Sequence, residues 1–311
     1  MGPAPRPDGF DHRALLYRSA DDYVRGVMRF IRPGLEAGEP VVAAVPSHNL
    51  RLLRERLREA GSGVTLFDIE QLGRNPARII PAVQELVDAQ RGRRLHYVSE
   101  PIWPGRSAEE VREATRNEAL VNLAWAHAPL RMLCPYDVRG LDKTVVADAR
   151  HTHHCVIDGE RELPSTDGAY HVPPDRCEAR LPDPPAKAAP VSFGVGELPR
   201  LRRLVAEHAA AAGLAEPQTD ELVLAVNEVA SNSVRHAGGS GELRIWHTGS
   251  GVTCEIHDRG HIADPLAGRR IPGTRAQGGR GLWIVNQLCD LVEVRTNRRS
   301  GTTIRLHAAA H

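Results

Sequence analysis

From residue 11 onward, short apolar runs alternate with amphipathic stretches of helical period. Asp11 to Tyr17 predicts a first strand, and Ser19 with Asp22 three residues on predicts the start of a helix whose apolar stripe is Val24, Val27, Met28 and Ile31. The pattern then repeats. Val41 to Val45 is a buried-type strand, Ser47 to Ala60 a helix with Leu50, Leu53 and Leu57 inward, and Val64 to Phe67 a further strand. Pro76 to Arg91 carries Ile79, Ile80, Val83 and Leu86 at helical spacing, Leu95 to Val98 is a strand, Ser107 to Ala128 is expected as the longest helix, and Leu130 to Cys134 is a strand again. Strands separated by helices of this length predict a doubly wound, mostly parallel sheet.

The pattern fades between Arg161 and Pro190. Pro164, Pro173, Pro174, Pro182, Pro184, Pro185 and Pro190 lie in a charged, Ala-rich stretch, which predicts an extended linker and divides the chain into units at 10–160 and 191–311. A different pattern follows. Val191 to Phe193 is a short strand, Glu197 to Ala212 a helix with Leu198, Leu201, Leu204 and Val205 inward, and Leu243 to Trp246, Val252 to Ile256, Val292 to Thr296 and Thr302 to Leu306 alternate as strands. These predict one mainly antiparallel sheet with helices over a single face. The Glu197 helix is expected to be core, with a homodimer contact as the other reading.

Composition adds limits. A chain of 311 residues with 41% apolar and 25% charged content has room for two cores, and a net charge of +1 gives no overall reason to expect nucleic acid. No apolar run of about 18 residues and no signal-peptide core occurs in the sequence, so a cytoplasmic protein without membrane association is expected. Cys134, Cys155, Cys177, Cys254 and Cys289 form no CxxC pair, which suits reduced thiols.

Candidate chemistry concentrates between Glu221 and Leu282. On a helix, Glu228, Asn232 and His236 fall on one stripe, with Leu222, Val226, Val229 and Ser233 on the inward arc beside it. A carboxamide oxygen suits Mg²⁺, and a carboxylate four residues away suits deprotonation of a hydroxyl; a solvated helix face is the competing reading. Asp258 ends a predicted strand and is followed by Gly260, which places an acceptor for an amino group where the backbone comes close. Gly278, Gly279 and Gly281 open an apolar helix, and exposed N–H groups at a helix start favour phosphate. Between Gly260 and Gly278, Arg269, Arg270 and Arg275 lie in a loop with Pro265, Gly268, Pro272 and Gly273; these arginines and Arg280 either reach phosphates or are solvated.

Glu228 to His236, Asp258-x-Gly260, Gly279-x-Gly281-Leu282 and Gly301-Thr302-Thr303 together resemble the N-box, the adenine-binding box, the glycine box and the late strand turn of the GHKL ATPases, above all the anti-sigma-factor serine/threonine kinases. The resemblance spans Val191 to His307 and implies a Bergerat α/β sandwich that binds ATP with Mg²⁺. It implies Glu228 as base and Asn232 as Mg²⁺ holder. It implies Asp258 as adenine contact, with His236, Gly260, Gly279, Arg280, Gly281, Leu282 and Thr302 also lining the nucleotide site. The implied partners are a STAS-type anti-sigma-factor antagonist and a sigma factor, hence control of transcription, as in stress responses. A nucleotide-dependent binding module without phosphoryl transfer is the alternative, and a sensor histidine kinase the third; no dimerising helical hairpin with a phosphoacceptor His precedes the ATPase region.

In the first half, Tyr17 to Asp22 has no glycine and no P-loop lysine, so a P-loop nucleotide site is not expected. Ligands of doubly wound sheets lie at strand carboxyl ends, here Pro46-Ser47-His48, Asp68, Ser99 to Trp103 and Pro135-Tyr136-Asp137. His12, Tyr17, the Glu-Pro-Ile-Trp segment at Glu100, Cys-Pro-Tyr-Asp at Cys134 and Thr152-His153 resemble the MEDS sensory domain over residues 10–160, which implies a RecA-like fold and a small organic ligand. His154 stands where that family's pattern has Pro. The run His151 to Cys155 holds good Zn²⁺ ligand types, but adjacent residues of a strand point to opposite faces and no second ligand pair follows, so a polar loop or sheet edge is expected there.

Overall fold

The computed structural model describes residues 9–60, 63–165, 180–249, 251–272 and 279–310. The chain divides into two compact units, Met1–Cys177 and Glu178–His311.

The first unit is built on seven strands: β1 (Asp11–Tyr17), β2 (Val41–Val45), β3 (Val64–Asp68), β4 (Leu95–Ser99), β5 (Leu130–Asp137), β6 (Cys155–Asp158) and β7 (Arg161–Pro164). Their order is β3-β2-β4-β5-β1-β6-β7, parallel throughout except for β7, which returns antiparallel along β6. This is the doubly wound sheet expected, with one antiparallel edge. The helices are α1 (Ala20–Glu36), α2 (Ser47–Ala60), α3 (Ile69–Leu72), α4 (Ile79–Ala89), α5 (Ala108–Ala124) and α6 (Lys143–Thr152). The Ser19 hydroxyl accepts from the Asp22 N–H at 3.2 Å, and at α5 Ser107 and Glu110 complete a reciprocal capping box. Along β1 the alternation separates two layers: Leu15 and Tyr17 join Val27, Ile31, Val45 and Leu53 in one core. His12 and Ala14 face the opposite way, toward the side of Cys134, which pairs with Ala14 in register.

Several expectations change. The buried face of α1 is Tyr23, Val27, Phe30, Ile31 and Gly34, turned from the predicted stripe so that Val24 and Met28 are only half-buried; aromatic Tyr23 and Phe30 fill the space against the sheet. The α5 helix stops at Ala124, where Trp125 buries its ring and caps the end, so the longest helix of the described residues is instead Glu216–His236. Arg161–Pro164, expected as linker, is a strand, because β6 offers it an unpaired edge.

The second unit has an antiparallel sheet of β8 (Val191–Phe193), β9 (Gly241–Thr248), β10 (Gly251–Asp258), β11 (Leu291–Asn297) and β12 (Gly301–Ala309), in the order β11-β12-β10-β9-β8. Helices α7 (Leu198–Ala211), α8 (Glu216–His236) and α9 (Arg280–Leu288) pack on one face. Val252, Cys254 and Ile256 of β10 meet Leu201, Val205, Leu222, Val226 and Val229 from the helices. The other face is polar yet covered. Arg305 donates to Glu255 at 2.6 Å and to the carbonyl of Pro182, Arg244 donates to the carbonyl of Ala188, and Leu181 and Ala188 are buried. Residues 180–190, expected as part of an extended linker, therefore lie on this sheet, because strand arginines satisfy their carbonyls. Among the described residues no helix is long and apolar enough to cross a membrane.

Candidate functional site

The second unit holds a cavity of about 520 Å³ between α8, the end of β10, the loop 259–272 and the start of α9. That size falls within the roughly 300–1,000 Å³ of small-molecule sites. Its floor is apolar, from Val229, Ile262, Leu282 and Ile304, and its polar groups converge from three elements.

The α8 helix supplies the stripe predicted from spacing. Asn232 and His236 line the cavity, and Glu228 sits one turn earlier with its carboxylate beside Asn232. Gly281 closes over this pair. A Cβ added there would lie 3.0 Å from Asn232 Nδ2 and 3.1 Å from Glu228 Oε2, closer than side chains normally approach. Absence of a side chain at Gly281 thus leaves room for ligand atoms where carboxylate, carboxamide and helix start meet.

Asp258, at the last position of β10, is held by two donors. The Ser233 hydroxyl donates to its Oδ2 at 2.5 Å and the Gly260 N–H to its Oδ1 at 2.8 Å. Each carboxylate oxygen keeps a second lone pair, so the group is fixed in direction and still able to accept. Gly260 fits closely between Asp258 and Ala237: a Cβ would come within 2.8 Å of the Ala237 methyl. Thr302 stands opposite Asp258 in the β10–β12 register. It lines the cavity, but its hydroxyl donates to the Gly260 carbonyl at 3.0 Å and bonds Thr296 at 2.8 Å, so it holds the turn. Gly301, with φ +85°, packs against the Asp258 carbonyl so closely that a Cβ would fall 2.0 Å from the oxygen.

The α9 helix begins from Gly279, whose φ of +79° is left-handed. Its first N–H groups have no partner within the helix, and Gly279, Gly281 and Leu282 border the cavity. This end therefore suits an anionic ligand. Arg270 lines the cavity, whereas Arg269 is buried and Arg280 is exposed at the first turn of α9, outside the lining. Arg275, Gly273 and Gly278, like Cys177 of the first half, lie outside the described residues.

Two supports escaped the sequence reading. Ser233 counted there only as an inward position, yet its hydroxyl aims Asp258. A lone serine in an otherwise apolar arc is the signal that identifies it. Asn286 donates to the Gly268 carbonyl at 3.0 Å and ties the loop to α9, where Gly268 passes so close that a Cβ would meet Leu282 at 2.8 Å.

The carboxyl edge of the first unit's sheet is a closed polar network. Tyr17 donates to Glu100 at 2.8 Å, Asn49 donates to the other carboxylate oxygen at 2.8 Å, and Glu100 has no exposed surface. Burial pushes the Glu100 carboxyl up to about 8, against the pull of the Asn49 and Tyr17 hydrogen bonds. Nearby, the Ser47 hydroxyl donates to Asp68 at 2.5 Å. The His151–Cys155 run is only in part the polar loop expected: His151 and Thr152 end α6, His153 and His154 connect it to Cys155, which begins β6, and His153 is fully buried beside His12, Glu118 and Cys134.

Residues 11–154 match the family model described as MEDS, MEthanogen/methylotroph, DcmR Sensory domain. Residues 192–308 match that of the histidine kinase-like ATPase domain. No curated protein matches the chain.

Proposed function

Taking the chain as a MEDS sensory domain followed by a histidine-kinase-like ATPase domain, we propose that it is an ATP-dependent serine/threonine protein kinase of the anti-sigma type. The observation that carries this reading is the convergence of Asn232, Asp258 and Gly281 on one cavity, with the Glu228 carboxylate beside Asn232 under Gly281, in close approaches that only glycine permits.

ATP with Mg²⁺ fits the donors present. Asp258, aimed by Ser233 and Gly260, accepts from the exocyclic amino group of the adenine. The apolar floor takes the purine, the N–H groups at the start of α9 bind phosphate oxygens, and Asn232 offers its carboxamide oxygen to the cation. Mg²⁺ supplies neutralisation of charge on the phosphates. Glu228 accepts the proton of a partner's serine or threonine hydroxyl as that oxygen forms its bond to the γ-phosphorus, while the bond to the β–γ bridging oxygen breaks and ADP leaves with the electron pair. The placement of Glu228 beside Asn232 and Gly281, at the start of α9 where the phosphates would lie, supports the role of base. The client in this reading is a STAS-type anti-sigma-factor antagonist, whose phosphorylation sets how much sigma factor is free. The MEDS unit is the sensory input, and the protein acts in the cytoplasm.

The test is transfer of labelled γ-phosphate from Mg-ATP to proteins of the native host by full-length wild type and by Glu228→Ala. A small protein labelled by wild type alone, with the label stable to acid and lost to strong base, is the expected result. No labelled protein, with ATP still bound, supports the binding-module reading instead; label on a histidine of this chain supports a histidine kinase.

A further inference from the structure

The two structured halves meet different needs for charge, and the buried group around His153 is not used by the reading above. His12 on β1, Glu118 on α5, Cys134 on β5 and His153 just after α6 come from four elements spread over 142 residues, and each is at most 2% exposed. Their ligand-type atoms all lie within 4.8 Å of one another. Nε2 of His153 is 3.0 Å and Nε2 of His12 3.4 Å from Glu118 Oε2, and Nε2 of His12 is 3.3 Å from the Cys134 sulfur. In a tetrahedral site with bonds of about 2.0–2.3 Å, neighbouring ligand atoms stand about 3.3–3.8 Å apart. The observed separations are close to those edges.

Surrounding hydrogen bonds fix which way the imidazoles face. His153 Nδ1 lies 2.8 Å from the Ala149 carbonyl, an acceptor only, so this nitrogen carries the proton. His12 Nδ1 lies 3.0 Å from Asn122 Oδ1. The orientation of that carboxamide is set by its nitrogen, which donates to the Thr152 carbonyl at 2.7 Å. In its neutral form each ring would therefore turn an Nε2 lone pair toward the Glu118 carboxylate. In agreement, His153 Nε2 makes no well-directed hydrogen bond despite its 3.0 Å approach to that oxygen. Tyr136 donates to the same carboxylate at 3.3 Å and steadies it. Two imidazole nitrogens, a carboxylate and a thiol thus converge on one buried point. Ring nitrogens whose far side donates to a carbonyl or carboxamide are the usual outer support of metal-bound histidines.

We propose that His12, Glu118, Cys134 and His153 form a structural site for a divalent transition metal, with Zn²⁺ the natural occupant of a two-nitrogen, one-oxygen, one-sulfur set. The site pins α5 and the end of α6 to the two central strands β1 and β5. Four protein ligands and complete burial leave no open position, so its role is to hold the sensory unit together. Binding releases the Cys134 thiol proton to solvent.

The experiment uses the full-length chain. Protein purified from zinc-supplemented medium and desalted is assayed for metal by mass spectrometry, then stripped with a chelator and titrated with Co²⁺. Expected are about one Zn²⁺ per chain, and, with Co²⁺, tetrahedral d–d bands and a thiolate-to-cobalt charge-transfer band. Cys134→Ser should abolish the charge-transfer band and weaken binding at least about tenfold, while Cys254→Ser, a buried cysteine of the other unit, should leave both intact. Wild-type protein that retains no metal and develops no Co²⁺ spectrum overturns the proposal without recourse to any variant. So does a spectrum that survives in Cys134→Ser or disappears in Cys254→Ser.

Discussion

The buried cluster of the first unit and the cleft of the second use nearly the same side-chain chemistry to opposite ends. Around His153, carboxylate, imidazole and thiol are sealed between helix and sheet, and the imidazoles and the carboxylate are supported by a second layer of hydrogen bonds. Around Asp258 the polar groups line an accessible cavity, and the support comes from backbone turns and glycines that keep space free. A closed site fixes one small ion and a fold; an open one can exchange a large ligand. Burial, more than residue type, separates the two roles.

The largest effect that would sharpen this contrast is at the open site. Glu228→Ala should lower phosphoryl transfer by about 10²–10⁴-fold while nucleotide affinity, measured by equilibrium binding, stays within about threefold of wild type. A parallel loss of affinity would make Glu228 a binding group and erase its distinction from Asn232.

Charge inside the closed unit is the next test. Glu100 titrates at about 8 in the fold against 4.5 for the ordinary carboxyl, mainly because burial disfavours its charged form. Below 4.5 folded and unfolded chains are both protonated there; between 4.5 and 8 only the unfolded chain has lost the proton, so stability falls as pH rises through that window. The cost is on the order of 5 kcal/mol when integrated over the window. Glu100→Gln, uncharged at every pH, should remove this loss, so denaturant melts at pH 5 and pH 8 should show the variant gaining on wild type at the higher pH. Equal pH slopes for the two proteins would show that Glu100 is solvated.

Much of the open site was legible because it is local. The stripe of Glu228, Asn232 and His236 needs only helical spacing, and Asp258-x-Gly260 and Gly279-x-Gly281 need only a strand end and a helix start. The parallel and antiparallel sheets were equally legible from alternation of period. The closed cluster was not: its four members are joined by register between β1 and β5 and by the packing of α5, neither of which spacing along the chain encodes. His12, Cys134 and His153 stood out in the sequence through the MEDS resemblance, but as a possible ligand His153 was weighed only within the run His151 to Cys155. The start of the Pro-rich segment was misread for a related reason. Arg161–Pro164 has the composition of a linker and pairs as a strand because β6 presents a free edge.

A smaller effect probes the support beneath Asp258. Ser233→Ala removes a 2.5 Å hydrogen bond to the carboxylate and should weaken nucleotide binding about tenfold, the worth of one hydrogen bond to a charged group. Thermal melting should change little, since the methyl remains compatible with the apolar arc. The smallest effect concerns independence of the two sites: removal of metal by a chelator should lower the melting temperature of the full chain but leave Mg-ATP affinity unchanged once free Mg²⁺ is restored. A coupled loss would mean that the closed cluster also shapes the cleft.

The central claim is that the cavity between α8, β10 and α9 is a nucleotide site organised by Asp258. Its most direct test is calorimetric titration of full-length wild type and Asp258→Ala with Mg-ATP. Wild type should bind with one site per chain, and the variant, while folded, should lose about a hundredfold in affinity, the cost of removing a charged hydrogen-bond acceptor. Undiminished binding by Asp258→Ala, or no binding by wild type, would contradict the account.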